Sequence, residues 1–110
     1  MSLPHANNAV VDIRKLRHYC LDITHDEGKH KARVFLSALG LTVEDAEALQ
    51  IRLLKIARTH PAISGFRDDY GQRYTIDFWL EWYDRRARIR SGWIIEHGST
   101  TPRLTSCFVL

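Results

Sequence analysis

Cysteine, methionine and proline are scarce in this 110-residue chain, at two, one and three residues, and the cysteines exclude most. Cys20 and Cys107 are too few for a disulfide framework and lack the Cys-x-x-Cys spacing of a zinc or redox site. They are expected as reduced packing residues. No apolar run approaches the length needed to cross a bilayer. The amino terminus lacks the basic-then-apolar pattern of a signal peptide, so the expected location is the cytoplasm, without membrane binding. There is no phosphate-binding glycine loop. Ser37, Ser91 and Ser106 occur in no nucleophile-elbow context. Of the six histidines, His25 and His30 come closest to a ligand spacing, but a glycine and a loop separate them. Neither a metal nor a cofactor is expected.

What remains is an ordinary globular composition, 45% apolar and 26% charged, which argues against disorder. A chain of this length buries one core. Residues 1–11, with Pro4, Asn7 and Asn8, are expected as a flexible arm, and residues 12–110 as a single domain. The net charge of +3 permits an anionic partner without requiring one.

The pattern changes near His60-Pro61, from helical spacing to a period of two. Before it, Asp12 to Leu21 places Ile13, Leu16, Tyr19 and Cys20 on one stripe. A second helix over Lys29 to Leu39 buries Val34, Phe35, Ala38 and Leu39, and Gly40 stops it. Thr42-Val43-Glu44-Asp45 is a capping signature opening a third helix that runs to about Arg58. That helix buries Ala46, Leu49, Leu53, Leu54, Ile56 and Ala57. After the change, Gln72 to Trp82 alternates, with Tyr74, Ile76, Phe78, Leu80 and Trp82 on one face. A short strand over Ile63 to Asp68 precedes it through an Asp69-Tyr70-Gly71 turn. A turn over Tyr83 to Arg86 leads to a strand over Ala87 to His97, and Arg103 to Leu110 makes the last. The expected fold is α+β, with two to three N-terminal helices packed on one face of a four-stranded antiparallel sheet.

Two features bear chemistry. Lys29-His30-Lys31-Ala32-Arg33 crowds cations at a helix amino terminus, where the dipole disfavours them and an anion would be welcome. His30 adds a side chain of the type that carries or accepts a proton near neutral pH. The second is the sheet face left open by the helices, carrying Arg73, Thr75, Asp77, Trp79, Glu81, Arg88 and Arg90. Arginines around an exposed indole suit phosphate contact with base stacking. The same face also reads as a solvated surface with cross-strand ion pairs, Asp77 with Arg88 or Arg90.

Gly28-Lys29-His30-Lys31-Ala32-Arg33-Val34-Phe35, Gly92-Trp93-Ile94-Ile95-Glu96-x-Gly98 and Pro102-Arg103-Leu104 together resemble an uncharacterised family of small bacterial domains, a domain of unknown function. The resemblance runs from about Leu16 to Phe108. Its helices-then-sheet order is similar to the metal-independent ribonuclease toxins of the barnase, EndoU and RelE type, a likeness of architecture. That likeness implies RNA cleavage by acid–base attack of a ribose 2′-hydroxyl. It casts His30 as base or acid, with Lys31, Arg103 and Ser106 completing the catalytic set. Lys29, Arg33, Arg88, Arg90 and Trp79 then contact RNA, Trp93 is a structural residue or stacks on RNA, and a cognate antitoxin or immunity protein restrains the activity. Where relatives end Pro-Arg-Leu-x-Thr-x-Tyr-Pro, this chain has Ser106 for the threonine and Phe108 for the tyrosine, so one hydroxyl is lost. Two other readings stand beside it: a non-catalytic RNA- or anion-binding module, and a protein-interaction or structural domain. The oligomeric state is open in all three.

Overall fold

The computed structural model describes residues 1–110 and contains both expected layers. α1 (Ile13–Lys15) passes directly into a π-helical turn over Leu16–Cys20, closed by the Leu21 N–H on the Leu16 carbonyl at 2.9 Å. α2 (Lys29–Leu39) and α3 (Ala46–Thr59) follow. The sheet is an antiparallel meander of β1 (Ile63–Arg67), β2 (Gly71–Trp82), β3 (Arg85–Glu96) and β4 (Arg103–Val109), in that spatial order. The fold is therefore α+β, with helices before the sheet. No helix is long and apolar enough to cross a membrane.

Local chemistry sets the helix ends. The Asp12 carboxylate accepts the Arg14 backbone N–H at 2.9 Å and pairs with the Arg14 guanidinium, which holds its pKa down to about 2. The Thr42–Asp45 capping box is formed, with the Asp45 carboxylate accepting the Thr42 N–H at 2.9 Å. α2 ends at Gly40, whose φ of 75° suits a residue without Cβ. At its other end the imidazole of His25 accepts the N–H groups of Glu27 and Gly28 at Nδ1, 3.1 and 3.0 Å away. These amides near the helix start are thus satisfied from within the chain.

Apolar spacing then builds the core. α2 buries Ala32, Phe35 and Leu39; α3 buries Ala46, Leu49, Leu53 and Ala57. Both lie over Ile76, Phe78, Leu80, Ile89, Trp93, Leu104 and Cys107. Val34, expected on the buried face, is 43% exposed, because the stripe that meets the sheet is phased on Ala32. Leu54 and Ile56 sit half-buried at the margin of α3. Cys20 and Cys107 are free and buried, and desolvation pushes both thiols up, Cys20 to about 11. Such thiols behave as small hydrophobes.

The segment expected as an arm lies against this body. Leu3 and Val11 are buried, Ser2 bridges to Pro61, and the Ala62 N–H bonds the Met1 carbonyl. Val10 bridges to Arg103 in parallel, donating to Pro102 O at 2.8 Å and accepting from Leu104 N at 3.1 Å.

Candidate nucleic-acid interface

Helices cover one face of the sheet, and strand register decides what stands on the other. Trp82 pairs with Arg85, so the β2–β3 turn has only two residues, Tyr83 and Asp84, with Tyr83 at a φ of 55°. That turn puts Asp77 opposite Arg90, Trp79 opposite Arg88 and Thr75 opposite Gly92. On β4, Arg90 faces Phe108, Gly92 faces Ser106, and Ile94 faces Arg103. Between the last two pairs Thr105 is an extra residue, a bulge. The bulge lets Leu104 and Cys107, three residues apart, both point into the core.

The open face is thus a set of rows. Trp79 and Arg88 form one, with Arg86 reaching the indole from the side; the two guanidiniums lie 4.3 Å (Arg86) and 5.7 Å (Arg88) from the ring centre. In the next row Arg90 holds Asp77 through Nε and Nη2, at 2.8 and 2.9 Å. Phe108 continues that row, and Lys31 reaches from α2 to place its ammonium 4.3 Å from the Phe108 ring centre. The third row is small: Thr75, Gly92 and Ser106. A side chain on Gly92 would begin 2.6 Å from the Ser106 hydroxyl and 3.1 Å from that of Thr105, so those hydroxyls use its space. The fourth row sets Arg73 and Arg103 on either side of buried Ile94. Their guanidiniums reach Asp68 and Glu96, both at 3.2 Å.

The electrostatics differ between rows. Arg86, Arg88 and Lys31 form no ion pair and lie against aromatic faces, with Glu81 opposite Arg86 across the strands and Asp77 near enough to feel the charge of Arg88. Arg90 spends two nitrogens on Asp77 and keeps Nη1 for another acceptor. Its hydrogen bonds hold the Asp77 carboxyl below the usual carboxylate range, and the Arg90 pKa rises in return. A depressed folded-state pKa means that the pair's stabilisation is complete above the unfolded pKa and is lost as pH falls through the folded one. The stability difference between wild type and Asp77→Asn should therefore be constant near neutrality and shrink below about pH 4. Thermal melts across pH 2–7 check this; a difference that stays constant into acid would contradict it.

This face gathers six of the ten residues singled out from sequence: Lys31, Arg103, Ser106, Arg88, Arg90 and Trp79. Arg86 joins them, a residue visible only as part of the Arg85–Arg90 basic run. The other four stand elsewhere. His30 projects from α2 roughly opposite the Ala32–Phe35–Leu39 stripe and is exposed. Lys29 and Arg33 lie on the flank of α2 away from Lys31 by the same spacing. Trp93, expected as a structural or a stacking residue, is fully buried and is structural, because its alternation phase points it under the helices. Its indole N–H donates to Ser91 Oγ at 3.0 Å, and Ser91 donates onward to the Ile76 carbonyl at 2.9 Å. No cluster of three or more His, Cys, Asp or Glu side chains is arranged to hold a metal ion.

A helix layer on one sheet face and a basic, aromatic opposite face define the architecture. By sequence the chain belongs to the family described as Domain of unknown function (DUF6883), which matches residues 2–110. No curated protein matches it. Among solved structures, its fold is similar to one in a contact-dependent growth inhibition toxin–immunity protein complex from Klebsiella pneumoniae 342. The two share 11% identity over 96% of each chain, with a TM-score of 0.69. At that identity the likeness is one of fold.

Proposed function

We propose that this chain is a toxin-type ribonuclease that holds an RNA strand on its open sheet face and cleaves it without a metal ion. The observation that carries the reading is the grouping of Lys31, Arg86, Arg88 and the free edge of Arg90 around Trp79 and Phe108. Unpaired cations supply phosphate contacts, and Trp79 and Phe108 supply ring faces for bases. Ser106 and, beyond it, Arg103 extend the same face along β4 with a hydroxyl and a further cation for the strand's phosphates. The fold likeness to a chain of a toxin–immunity complex supports a toxin-related role and a protein inhibitor as partner. Such an inhibitor would meet this face with carboxylates.

The test is incubation with total tRNA in excess chelator, beside Arg86→Ala/Arg88→Ala. Wild type should cleave, and the double variant should bind RNA at least about tenfold more weakly, with a shallower salt dependence. Binding without cleavage would reduce the function to that of an RNA-binding module. No RNA binding at low salt would overturn the reading and favour a protein-interaction domain.

A further inference from the structure

The rows of the open face hold no histidine, yet acid–base cleavage needs a group to take a proton and one to give it. Around the end of the sheet, the N-terminal segment and the β3–β4 loop enclose a cleft of about 270 Å³. Its lining brings together His5, His97, Tyr74, Arg67 and Glu96. No other cavity of this chain is lined by two imidazoles.

The His97 ring is held by a hydrogen bond, and His5 is constrained through its backbone. The His97 ring lies with Nε2 2.8 Å from the Asp68 carbonyl, and its backbone N–H bonds the Tyr70 carbonyl at 3.1 Å. A carbonyl only accepts, so Nε2 carries the hydrogen and Nδ1 is the nitrogen left to take a proton. His5 adopts φ 56° and ψ 32°, the left-handed region, where a side chain costs roughly 1–2 kcal/mol. Strain of this kind persists where surrounding structure enforces it and is concentrated at functional sites. Here the stitches from Ser2 to Pro61 and from Val10 to β4 enforce it. The cleft lies on the helix-covered side of the sheet end, where Gln72, Tyr74 and Ile95 point. Asp68 and Glu96 link it round that end to the open face: Asp68 meets His97 through its carbonyl and Arg73 through its carboxylate, and Glu96 lines the cleft while pairing with Arg103.

We infer that this cleft is the phosphate-binding acid–base centre of the chain, with His97 and His5 as its proton-transfer pair and Arg67 as its phosphate contact. The inference rests on the ribonuclease reading above. His97 Nδ1 takes the proton of a ribose 2′-hydroxyl as its oxygen bonds the adjacent phosphorus. The bond from phosphorus to the 5′-oxygen breaks, and protonated His5 gives that oxygen its proton. The products are a 2′,3′-cyclic phosphate end and a 5′-hydroxyl end. The charged groups about the pair are Arg67, Glu96 with its Arg103 partner, and Asp68, whose carboxylate is turned to Tyr70 N, Gly71 N and Arg73.

His5→Gly keeps the left-handed backbone accessible, and His97→Gln keeps a donor for the Asp68 carbonyl, so both variants should fold. Each should lower single-turnover RNA cleavage on the order of 100-fold or more, leave RNA affinity within about twofold, and recover part of the rate in added imidazole. Variants that cleave at the wild-type rate would overturn the centre while leaving the ribonuclease reading intact. If wild type does not cleave at all, that reading falls, and titration with inorganic phosphate decides the cleft by proton NMR. Joint shifts of the His5 and His97 ring protons, with His18, His25, His30 and His60 unmoved, would support it. Unmoved His5 and His97 signals would overturn it.

Discussion

Trp93→Ala should destabilise the fold by about 3–5 kcal/mol, and Trp79→Ala by less than about 1 kcal/mol, although both truncate an indole on adjacent strands. Trp93 is wholly enclosed by the core that α2 and the π-helical turn close over the sheet. Its removal leaves a cavity that Ala cannot fill and takes the N–H donor away from Ser91, whose hydroxyl then keeps only the Ile76 carbonyl. A domain of this size has about 5–15 kcal/mol of stability in all, so the melting temperature should fall by more than about 10 °C. Trp79 is half-exposed and touches chiefly the guanidiniums of Arg86 and Arg88. Its loss should instead appear in RNA affinity, at about tenfold or more, since a stacked base contributes roughly 1–3 kcal/mol. Parallel thermal melts and RNA titrations separate the two roles. Equal melting losses would mean that Trp79 is structural, and an unchanged affinity would remove it from the interface.

Gly71→Ala is the second large effect, expected at about 3 kcal/mol or more. A Cβ at residue 71 would lie 2.2 Å from the Ile95 carbonyl oxygen and 2.7 Å from Glu96 Cα. These are backbone atoms of β3, so relief requires the first pair of the β2–β3 ladder to part. The adjacent turn would move with it, since Asp68 bonds both Tyr70 N and Gly71 N, and His97 bonds the carbonyls of Asp68 and Tyr70. Gly98→Ala is the control: φ is 77° there, but nothing lies within 4 Å of the added carbon. It should cost only the left-handed backbone penalty of roughly 1–2 kcal/mol. Chemical denaturation of both variants checks the contrast. Similar losses at the two sites would show that the ladder accommodates the methyl.

The sheet was legible because β2 alternates over its whole length with one dry face, and only one register keeps that face dry. The capping box and Gly40 were legible because each is a local device. α2 was misphased: Val34 is apolar but outside, and counting it as buried turns the stripe by roughly 60°. That rotation brings His30 nearer the sheet than it stands; its reading as a site residue rests on its residue type among cations at a helix start, which says nothing of the direction it faces. Register on the open face depended on a turn of two residues. The four-residue turn read from sequence would have set Asp77 opposite Gly92, whereas the fold selects Arg90 over Arg88 as its partner. Thr105 gave no sign of a bulge. His5 and His97 were illegible for another reason: long-range contacts bring them together, and His5 lay in the segment read as an arm.

Those contacts also have a kinetic meaning. The meander closes through short turns, whereas the stitch of Val10 to Pro102 and Leu104 joins opposite ends of the chain. Contacts so distant in sequence carry the largest loop-closure entropy and slow the folding of the region that needs them. The first eleven residues should therefore dock last, onto a sheet already formed. Until they dock, the edge of β4 is an open strand end that another chain can pair with, and His5 has no cleft to enter. A chain emerging or crossing a barrier in pieces would carry its basic, aromatic sheet face early and its assembled cleft only at completion.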